Sequence, residues 1–270
     1  MAHRSGREIS RPRVPIGGDR EGMKKQVRRD GPGKQGASGS LHPEVAGLEL
    51  DARRVQRLET VEVLKTGRTP LQVIEVAERA AAVAEQAVED AKRRCPPPHL
   101  ACRAGCDWCC YLTVGTTVPE VVRIAAYLRQ MLSPEELQAT RLRIAELEEH
   151  KRRQSLGQRA DAHWPCALLV NHRCAAYPVR PLTCRGFNSS DAHLWERFLQ
   201  SPRKVVVPTY VPQLRLMTFV LDGMRAGLSE SGLRGDLVEL TAALRIALEL
   251  PDAAERWLAG EAVFAPARLN

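Results

Sequence analysis

Seven of the eight cysteines in this chain fall in two short windows, and this clustering restricts its fold and function more than any other feature. The first window holds four cysteines within nine residues, and the second holds three within nineteen. Cysteines that serve only as small buried apolar side chains would be scattered. Clustered thiols in a reducing compartment indicate metal ligands or catalytic groups before disulfides. The sequence therefore predicts a metal site with these ligands: Cys102, Cys106, Cys109, Cys110, Cys166, Cys174 and Cys184.

The spacing inside the first window suits shared ligation of a metal. Cys102, Cys106 and Cys109 are three to four residues apart, so a tight loop or helical turn can bring their sulfurs to one ion. Gly105 permits the unusual backbone angles that such a loop often needs. Cys109 and Cys110 are adjacent, and we expect their side chains to diverge. The pair therefore suits either two metal ions or one ligand beside a structural or redox thiol.

The second window is spread over an irregular stretch, 154–190, that lacks sustained helical periodicity and contains several prolines. Two distant segments that each bring thiols are what a closed site with many ligands requires. Cys95 stands outside both windows, and we interpret it as a helix-end residue. Among the histidines, His193 is the best spare ligand because it follows Cys184 closely. The others near cysteines are expected to be exposed or hydrogen-bonded rather than ligands: His99, His163 and His172.

Aromatic and basic residues accompany the cysteines. Aromatic residues make up only 4% of the chain, yet five lie within three residues of a cysteine: Trp108, Tyr111, Trp164, Tyr177 and Phe187. They could form a dry shell that tunes a metal, or they could be ordinary core residues. Arg103, Arg180 and Arg185 could offset thiolate charge, or they could be solvated surface residues.

Charge and hydropathy set limits on location and partners. No apolar run approaches the roughly 20 residues that span a bilayer, and the basic N-terminus lacks the apolar region of a secretory signal. We therefore expect a cytoplasmic protein with no membrane partner. Residues 1–45 hold ten basic and five acidic residues, which accounts for five of the eight net positive charges. The nearly balanced remainder disfavours a nucleic-acid-binding surface.

The same composition suggests the domain organisation. Residues 1–45 are rich in Arg, Lys, Gly, Pro and Ser, and they cannot bury enough apolar surface to offset the entropy lost on ordering. We predict that 1–45 is a disordered basic tail. Residues 46–270 are predicted to form a single helical domain with the cysteine cluster at about 99–193.

Helix signals lie on both sides of the cysteines. Thr69 is a good N-cap before Pro70, and the Ala- and Glu-rich run to Arg94 stops at a cysteine and three prolines. Capping-box patterns at Thr117 and Ser133 predict two further helices that form a hairpin. Later helical patterns cover 191–199, 212–228, 233–250 and 253–258. The fold class is therefore mainly α, a helical domain with an irregular cysteine-rich metal-binding insert.

The cysteine pattern also resembles a known family. Cys-x3-Cys-x2-Cys-Cys is followed by Pro-Cys-x-Leu-Leu and then by Cys-x2-Tyr-x2-Arg-Pro-x2-Cys-Arg-Gly-Phe. Over about residues 99–190 this is similar to the CxxCxxCC family, also called the YkgJ-type cysteine cluster proteins. The resemblance implies a zinc- or iron-chelating domain whose ligands are the seven clustered cysteines, and it implies no established reaction. A flagellin lysine-N-methylase carries a similar cluster, which leaves an enzymatic role open.

The number of thiols bears on the metal. Zinc favours four-coordinate sites, so seven thiolates and one histidine would suit two zinc ions. Iron–sulfur clusters typically take four thiolates. The Cys-x3-Cys-x2-Cys spacing also resembles the radical-SAM signature, but that class needs a βα barrel, and the sequence has no strand–helix rhythm. We favour a metal-binding protein over two alternatives: an iron–sulfur or methyl-transfer enzyme, and a zinc-stabilised nucleic-acid-binding module.

Overall fold

The computed structural model describes residues 45–103, 105–154, 163–200 and 205–269. The predicted tail, 1–45, therefore lies outside the described residues except at its last position. The described part is mainly helical, which confirms the predicted fold class. Within it, every helix is too short or too polar to cross a membrane.

The helices begin and end close to the local signals in the sequence. In chain order they are α1 (Ala46–Thr66), α2 (Pro70–Arg94), α3 (Val118–Met131), α4 (Pro134–Arg152), α5 (Leu182–Gly186), α6 (Ala192–Gln200), α7 (Val211–Glu230), α8 (Leu240–Glu249) and α9 (Ala253–Leu258). The predicted capping boxes at Thr117 and Ser133 are both present. Thr69 also marks the start of α2, but its hydroxyl donates to the side chain of Gln72 instead of accepting from a backbone N–H.

The strands are only two residues long. The described residues contain two antiparallel pairs: β1 (Gly115–Thr116) with β4 (Val238–Glu239), and β2 (Leu169–Val170) with β3 (Arg173–Cys174). Single 3-10 turns occur at Trp108–Tyr111, Tyr177–Val179 and Ala265–Ala267. The cysteine-rich stretch is thus built from turns, one hairpin and a short helix, as its lack of helical periodicity predicted.

The core is formed by packed helices. Helix α7 lies against α1, α2 and α5, whereas α3 lies against α2 and α8. The buried residues are mostly Ala, Val and Leu, in keeping with the low aromatic content. Helix α2 buries an apolar stripe that includes Val73, Val76 and Ala80. Helix α7 packs on α5, and α3 packs on the turn at Tyr177–Val179, so this core supports part of the cysteine-bearing stretch.

Two helix predictions were wrong. Helices α3 and α4 do not form a hairpin, because α3 packs on α2 and α8, and α4 packs on α8, rather than against each other. The pattern over 233–250 also does not start a helix at Leu233. The chain first forms β4, which pairs with β1, and the N–H of Leu240 donates to the carbonyl of Val114.

Helix α1 was not predicted because its buried face is partly polar. Val45 provides no capping hydrogen bond at its start. Both carboxylate oxygens of the buried Glu49 accept hydrogen bonds from Arg215 of α7, at 2.6 and 2.7 Å. The buried Gln56 amide donates to the Thr60 hydroxyl at 3.0 Å. A pair to a distant helix and a polar bond within α1 therefore replace part of the apolar stripe by which a helix is usually recognised.

Close approach of α1 and α7 depends on glycine. A Cβ added at Gly223 would lie 2.3 Å from the carbonyl oxygen of Arg53, and one at Gly227 would lie 2.6 Å from the Cβ of Thr60. The nearest atom at Gly223 is backbone, so relief requires the helices to separate. These two positions therefore fix the distance between α1 and α7.

We expect Gly223→Ala to lower the free energy of unfolding by about 1–3 kcal/mol or more, as overpacking does in well-packed cores. Gly47→Ala in α1 is a matched control, because a Cβ there meets nothing within 4 Å. A helix prefers alanine to glycine, so the control should be neutral or stabilising by up to about 1 kcal/mol. Urea unfolding of both variants measures the difference. Equal midpoints would contradict the glycine-dependent packing.

Candidate metal centre

The first cysteine window is shaped by a tight turn. The N–H of Cys106 donates to the carbonyl of Arg103 at 2.9 Å, and Gly105 adopts a positive φ of 83°. This is the backbone freedom for which glycine was expected at this position. The segment is attached to the second half of the site by a bond from the N–H of Ala101 to the carbonyl of Ser189, at 2.8 Å.

A 3-10 turn at Trp108–Tyr111 carries the adjacent cysteines. The N–H of Cys110 donates to the carbonyl of Asp107 at 2.8 Å. The carbonyl of Cys110 in turn accepts from the N–H of Cys166, also at 2.8 Å. The two cysteine windows are therefore joined by a direct backbone hydrogen bond.

The second window turns back on itself through the β2–β3 hairpin. The N–H of Leu169 donates to the carbonyl of Cys166 at 2.9 Å, and Leu169 is paired with Cys174 in the strand register. The N–H of Ala175 donates to the carbonyl of Leu168 at 2.8 Å. The hairpin thus brings Cys174 back beside the segment that begins at Cys166.

Cys184 is placed by contacts from outside its own segment. It lies in α5, whose first N–H, on Leu182, donates to the buried carboxylate of Glu120 at 2.7 Å. The hydroxyl of Thr183 donates to the carbonyl of Gly115 at 2.6 Å. The start of α3 and strand β1 therefore hold the third thiol of the second window in position.

The pKa values of the thiols show that they lie within electrostatic reach of one another. Burial raises the pKa of Cys102, Cys174 and Cys184, and the charge of Cys109 raises each of them further. A hydrogen bond between the adjacent thiols raises the pKa of Cys110 and lowers that of Cys109. The expectation that the side chains of Cys109 and Cys110 diverge was therefore wrong.

The two remaining cysteines belong to the same group. Burial raises the pKa of Cys166 to about 11, and the charge of Cys174 raises it as well. The charge of Cys106, for its part, raises the pKa of Cys102. All eight cysteines are free thiols, and in the cluster only Cys102 is exposed. We name the seven as a group the thiol cluster: Cys102, Cys106, Cys109, Cys110, Cys166, Cys174 and Cys184.

The thiol cluster is gathered but not preset for coordination. Across the described ranges, no three His, Cys, Asp or Glu side chains are already arranged to hold a metal ion. Protonated thiols do not coordinate, so ligation requires that protons leave and that side chains shift toward the ion. The donor chemistry nonetheless fits soft or borderline metals, because thiolates select zinc and iron over magnesium or calcium. The assignment of individual ligands stays a prediction.

One of the three nearby arginines faces the thiol cluster. Burial and thiol contacts dominate the pKa values of Cys109, Cys174 and Cys184, but the positive charge of Arg180 lowers all three. The guanidinium of Arg180 lies 3.8 Å from the centroid of the Tyr177 ring. That ring is 60% exposed, so it does not shield the thiols from solvent. Arg180 is therefore placed to offset thiolate charge.

The other two arginines have different surroundings. Arg185 forms an ion pair with Glu85, and its guanidinium donates to the carbonyls of Pro178 and Arg180. It therefore braces the backbone between Tyr177–Val179 and α5. Arg103 is exposed.

We expect Arg180→Met to weaken metal binding by about 10–100-fold, the usual effect of an outer-shell change. Methionine keeps an unbranched apolar stem but removes the charge that favours thiolates. Arg103→Met is the control, because Arg103 is exposed, and it should leave affinity unchanged. Competition with a chromophoric chelator measures both. A normal affinity in Arg180→Met would show that the charge has no role.

The aromatic residues serve packing more than shielding. Phe187 meets Trp195 edge-on at 6.0 Å, and Trp195 meets Phe198 in the same way at 5.7 Å. Trp164 stacks on His150 at 5.3 Å. Trp195 and Phe198 were not singled out from the sequence because they lie beyond the cysteine motif, on α6. That helix packs against the turn that carries Cys109 and Cys110.

The structure favours a different histidine as a candidate metal ligand. His193, the expected spare ligand, has a side chain that is 90% exposed and 4.0 Å from Glu196. His172 instead contacts the first window directly: its Nδ1 lies 2.6 Å from the carboxylate of Asp107, which is only 2% exposed. Sequence reasoning passed over Asp107, although an acidic residue inside a cysteine motif was a signal.

Cys95 is the C-cap residue of α2, as predicted for a helix-end residue. Its carbonyl accepts a hydrogen bond from the hydroxyl of Tyr210 at 2.7 Å. The backbone of Cys95, rather than its thiol, makes this contact with the start of α7.

Comparison with known families agrees with this geometry. Residues 101–203 match the model of the CxxCxxCC family, described as "Putative zinc- or iron-chelating domain". Part of this chain, 101–203, is thus similar to the CxxCxxCC domain. This confirms the resemblance read from the cysteine spacing, and the domain includes the whole thiol cluster but not Cys95. No curated protein and no solved structure matches the chain.

Proposed function

We propose that the CxxCxxCC domain of this chain chelates zinc or iron through its thiol cluster. One observation supports the proposal: the hydrogen bond from the N–H of Cys166 to the carbonyl of Cys110 and the β2–β3 hairpin bring two cysteine-bearing segments together, so that charges on neighbouring thiols raise the pKa of Cys102, Cys110 and Cys184. Gathering so many thiols in one region has no packing advantage over ordinary apolar residues. A shared metal supplies the reason for it.

The number of thiols accommodates either metal. Zinc takes four thiolate or imidazole ligands, and a cubane iron–sulfur cluster also takes four thiolates. The cluster thus offers more donors than a single centre needs. Free thiols are maintained in the cytoplasm, where we place the protein.

The decisive experiment is to purify the full chain anaerobically and measure its metal content and visible spectrum. A colourless protein with stoichiometric zinc would identify thiolate zinc sites. A brown protein that absorbs near ~400 nm would identify an iron–sulfur cluster. If the chain holds no metal and all eight thiols react freely, the proposed function is wrong.

Metal affinity should rise with pH. Burial raises the pKa of Cys166 to about 11 and holds the pKa of Cys184 well above its ordinary value. Both thiols are therefore protonated at neutral pH, and the metal must displace their protons. We expect affinity to fall steadily from about pH 8 to about pH 6, with proton release into weak buffer on zinc addition. A flat profile would exclude these two thiols as ligands.

A further inference from the structure

The thiol cluster is one donor short of two complete four-coordinate shells, and the structure indicates where an eighth donor could come from. On the basis of the proposed function, we propose that His172 is a metal ligand through its Nε2 atom and that Asp107 orients the imidazole. This adds a nitrogen ligand to the seven thiols and makes Asp107 a positioning residue.

The hydrogen bond between His172 and Asp107 sets up the imidazole for this role. The carboxylate of Asp107 is buried and lies 2.6 Å from Nδ1 of His172. An ionised carboxylate only accepts, so Nδ1 carries the proton and Nε2 keeps its lone pair. Metal-bound histidines nearly always make such a bond from their other nitrogen.

The position of His172 in the chain also supports ligation. It lies in the two-residue turn of the β2–β3 hairpin, two residues before Cys174. Asp107 lies between Cys106 and Cys109 in the first window. The imidazole therefore bridges the two segments that supply thiols. Its side chain is 59% exposed, which places it at the edge where an ion from solvent would arrive.

The backbone at this turn is unusual for histidine. Asn171 and His172 both have positive φ, at 48° and 61°. A two-residue hairpin turn of this kind strongly prefers Asn followed by Gly. The turn thus holds an imidazole where glycine would be more stable, and a costly conformation of this sort points to a role for the side chain.

The other described histidines are less suited. The side chain of His193 is almost fully exposed and is nearest to Glu196. The ring of His150 stacks on Trp164, and that of His163 packs against Phe198 at 6.2 Å. The fourth, His99, has an exposed side chain.

The turn also supplies a sharp test. His172→Gly removes the ligand and creates the preferred Asn-Gly turn, which offsets part of the cost of leaving the buried Asp107 carboxylate without its imidazole partner, so the metal-free variant should still fold. We expect the zinc-loaded wild-type chain to hold about two ions after mild chelation and His172→Gly to hold about one. His193→Gln is the matched control and should hold as much zinc as the wild type. Asp107→Asn should weaken the same ion about 10–100-fold.

A spectroscopic measurement separates ligation from a structural role. In zinc-loaded protein labelled with ¹⁵N, long-range spectra of His172 should show a protonated Nδ1 and a metal-shifted Nε2. A wild-type chain that binds neither zinc nor iron would overturn the proposed function. A wild-type chain that binds metal while His172→Gly binds it equally well, with no Nε2 shift, would overturn the His172 assignment alone.

Discussion

Replacing Cys174 with serine is expected to remove most of the bound metal and to lower the thermal midpoint of the whole chain. A serine hydroxyl stays protonated at neutral pH and is not a substitute for thiolate. Cys174 is placed by the β2–β3 hairpin, and its charge raises the pKa of Cys110, Cys166 and Cys184. Loss of this central donor should weaken ligation throughout the cluster, and binding free energy of a structural metal adds to folding stability. Elemental analysis and thermal unfolding with and without chelator measure both effects.

Cys95→Ser is the control for this experiment. Cys95 lies at the end of α2, outside the matched residues 101–203, and its contact with Tyr210 uses the carbonyl. The variant should keep its metal and its thermal midpoint. Cys106→Ser, in the first window, should behave like Cys174→Ser. Normal metal content in both Cys106→Ser and Cys174→Ser would contradict the proposed ligand set.

Glu120→Ala should have the largest effect among substitutions outside the cysteines. The side chain is buried, and one carboxylate oxygen accepts from the N–H of Leu182. The other oxygen accepts from the Thr116 hydroxyl and from the N–H and hydroxyl of Thr117, at 2.8–2.9 Å. Each buried donor left unpaired costs about 1–3 kcal/mol, so we expect a loss of about 3–5 kcal/mol in unfolding free energy. The variant should also bind metal more weakly, because Glu120 anchors the helix that carries Cys184.

The second capping box provides a control for Glu120. Glu136 plays the same local part at the start of α4, where its carboxylate accepts from the N–H of Ser133, but it is exposed. Glu136→Ala should therefore cost only about 1 kcal/mol, as the loss of a helix cap does. Denaturant unfolding of the two variants isolates the contribution of the buried contacts. Similar losses in both would show that Glu120 acts only as a cap.

Glu120 also illustrates which parts of the fold could be predicted from sequence. Its capping box with Thr117 was predictable because four consecutive residues contain the whole interaction. Its bond to Leu182 joins residues 62 positions apart, and no local pattern encodes it. Helix α1 was missed for a related reason, since Glu49 is buried only by virtue of its pairing with Arg215.

The site shows the same division. The cysteines and Gly105 could be selected because residue type and spacing alone identify them. The different roles of Arg180 and Arg185 could not be predicted from sequence. Both lie in the same motif, and they differ only in which groups surround their guanidinium groups in the fold. The link from Asp107 to His172 spans 65 residues, so His172 could not be preferred to His193 before the fold was known. Sequence spacing identifies the candidate cysteine ligands. Tertiary contacts decide which neighbouring charged or polar side chains interact with them.

The packing of α5 has a consequence for how this domain can be transplanted. Cys184 lies within residues 101–203, but its helix packs on α7, and α3 packs on α2 and α8, all of which lie outside that span. The matched segment thus packs against helices that lie outside it. A graft of 101–203 into another protein would transfer all seven clustered thiols but not the helices α2, α7 and α8 on which α3 and α5 pack.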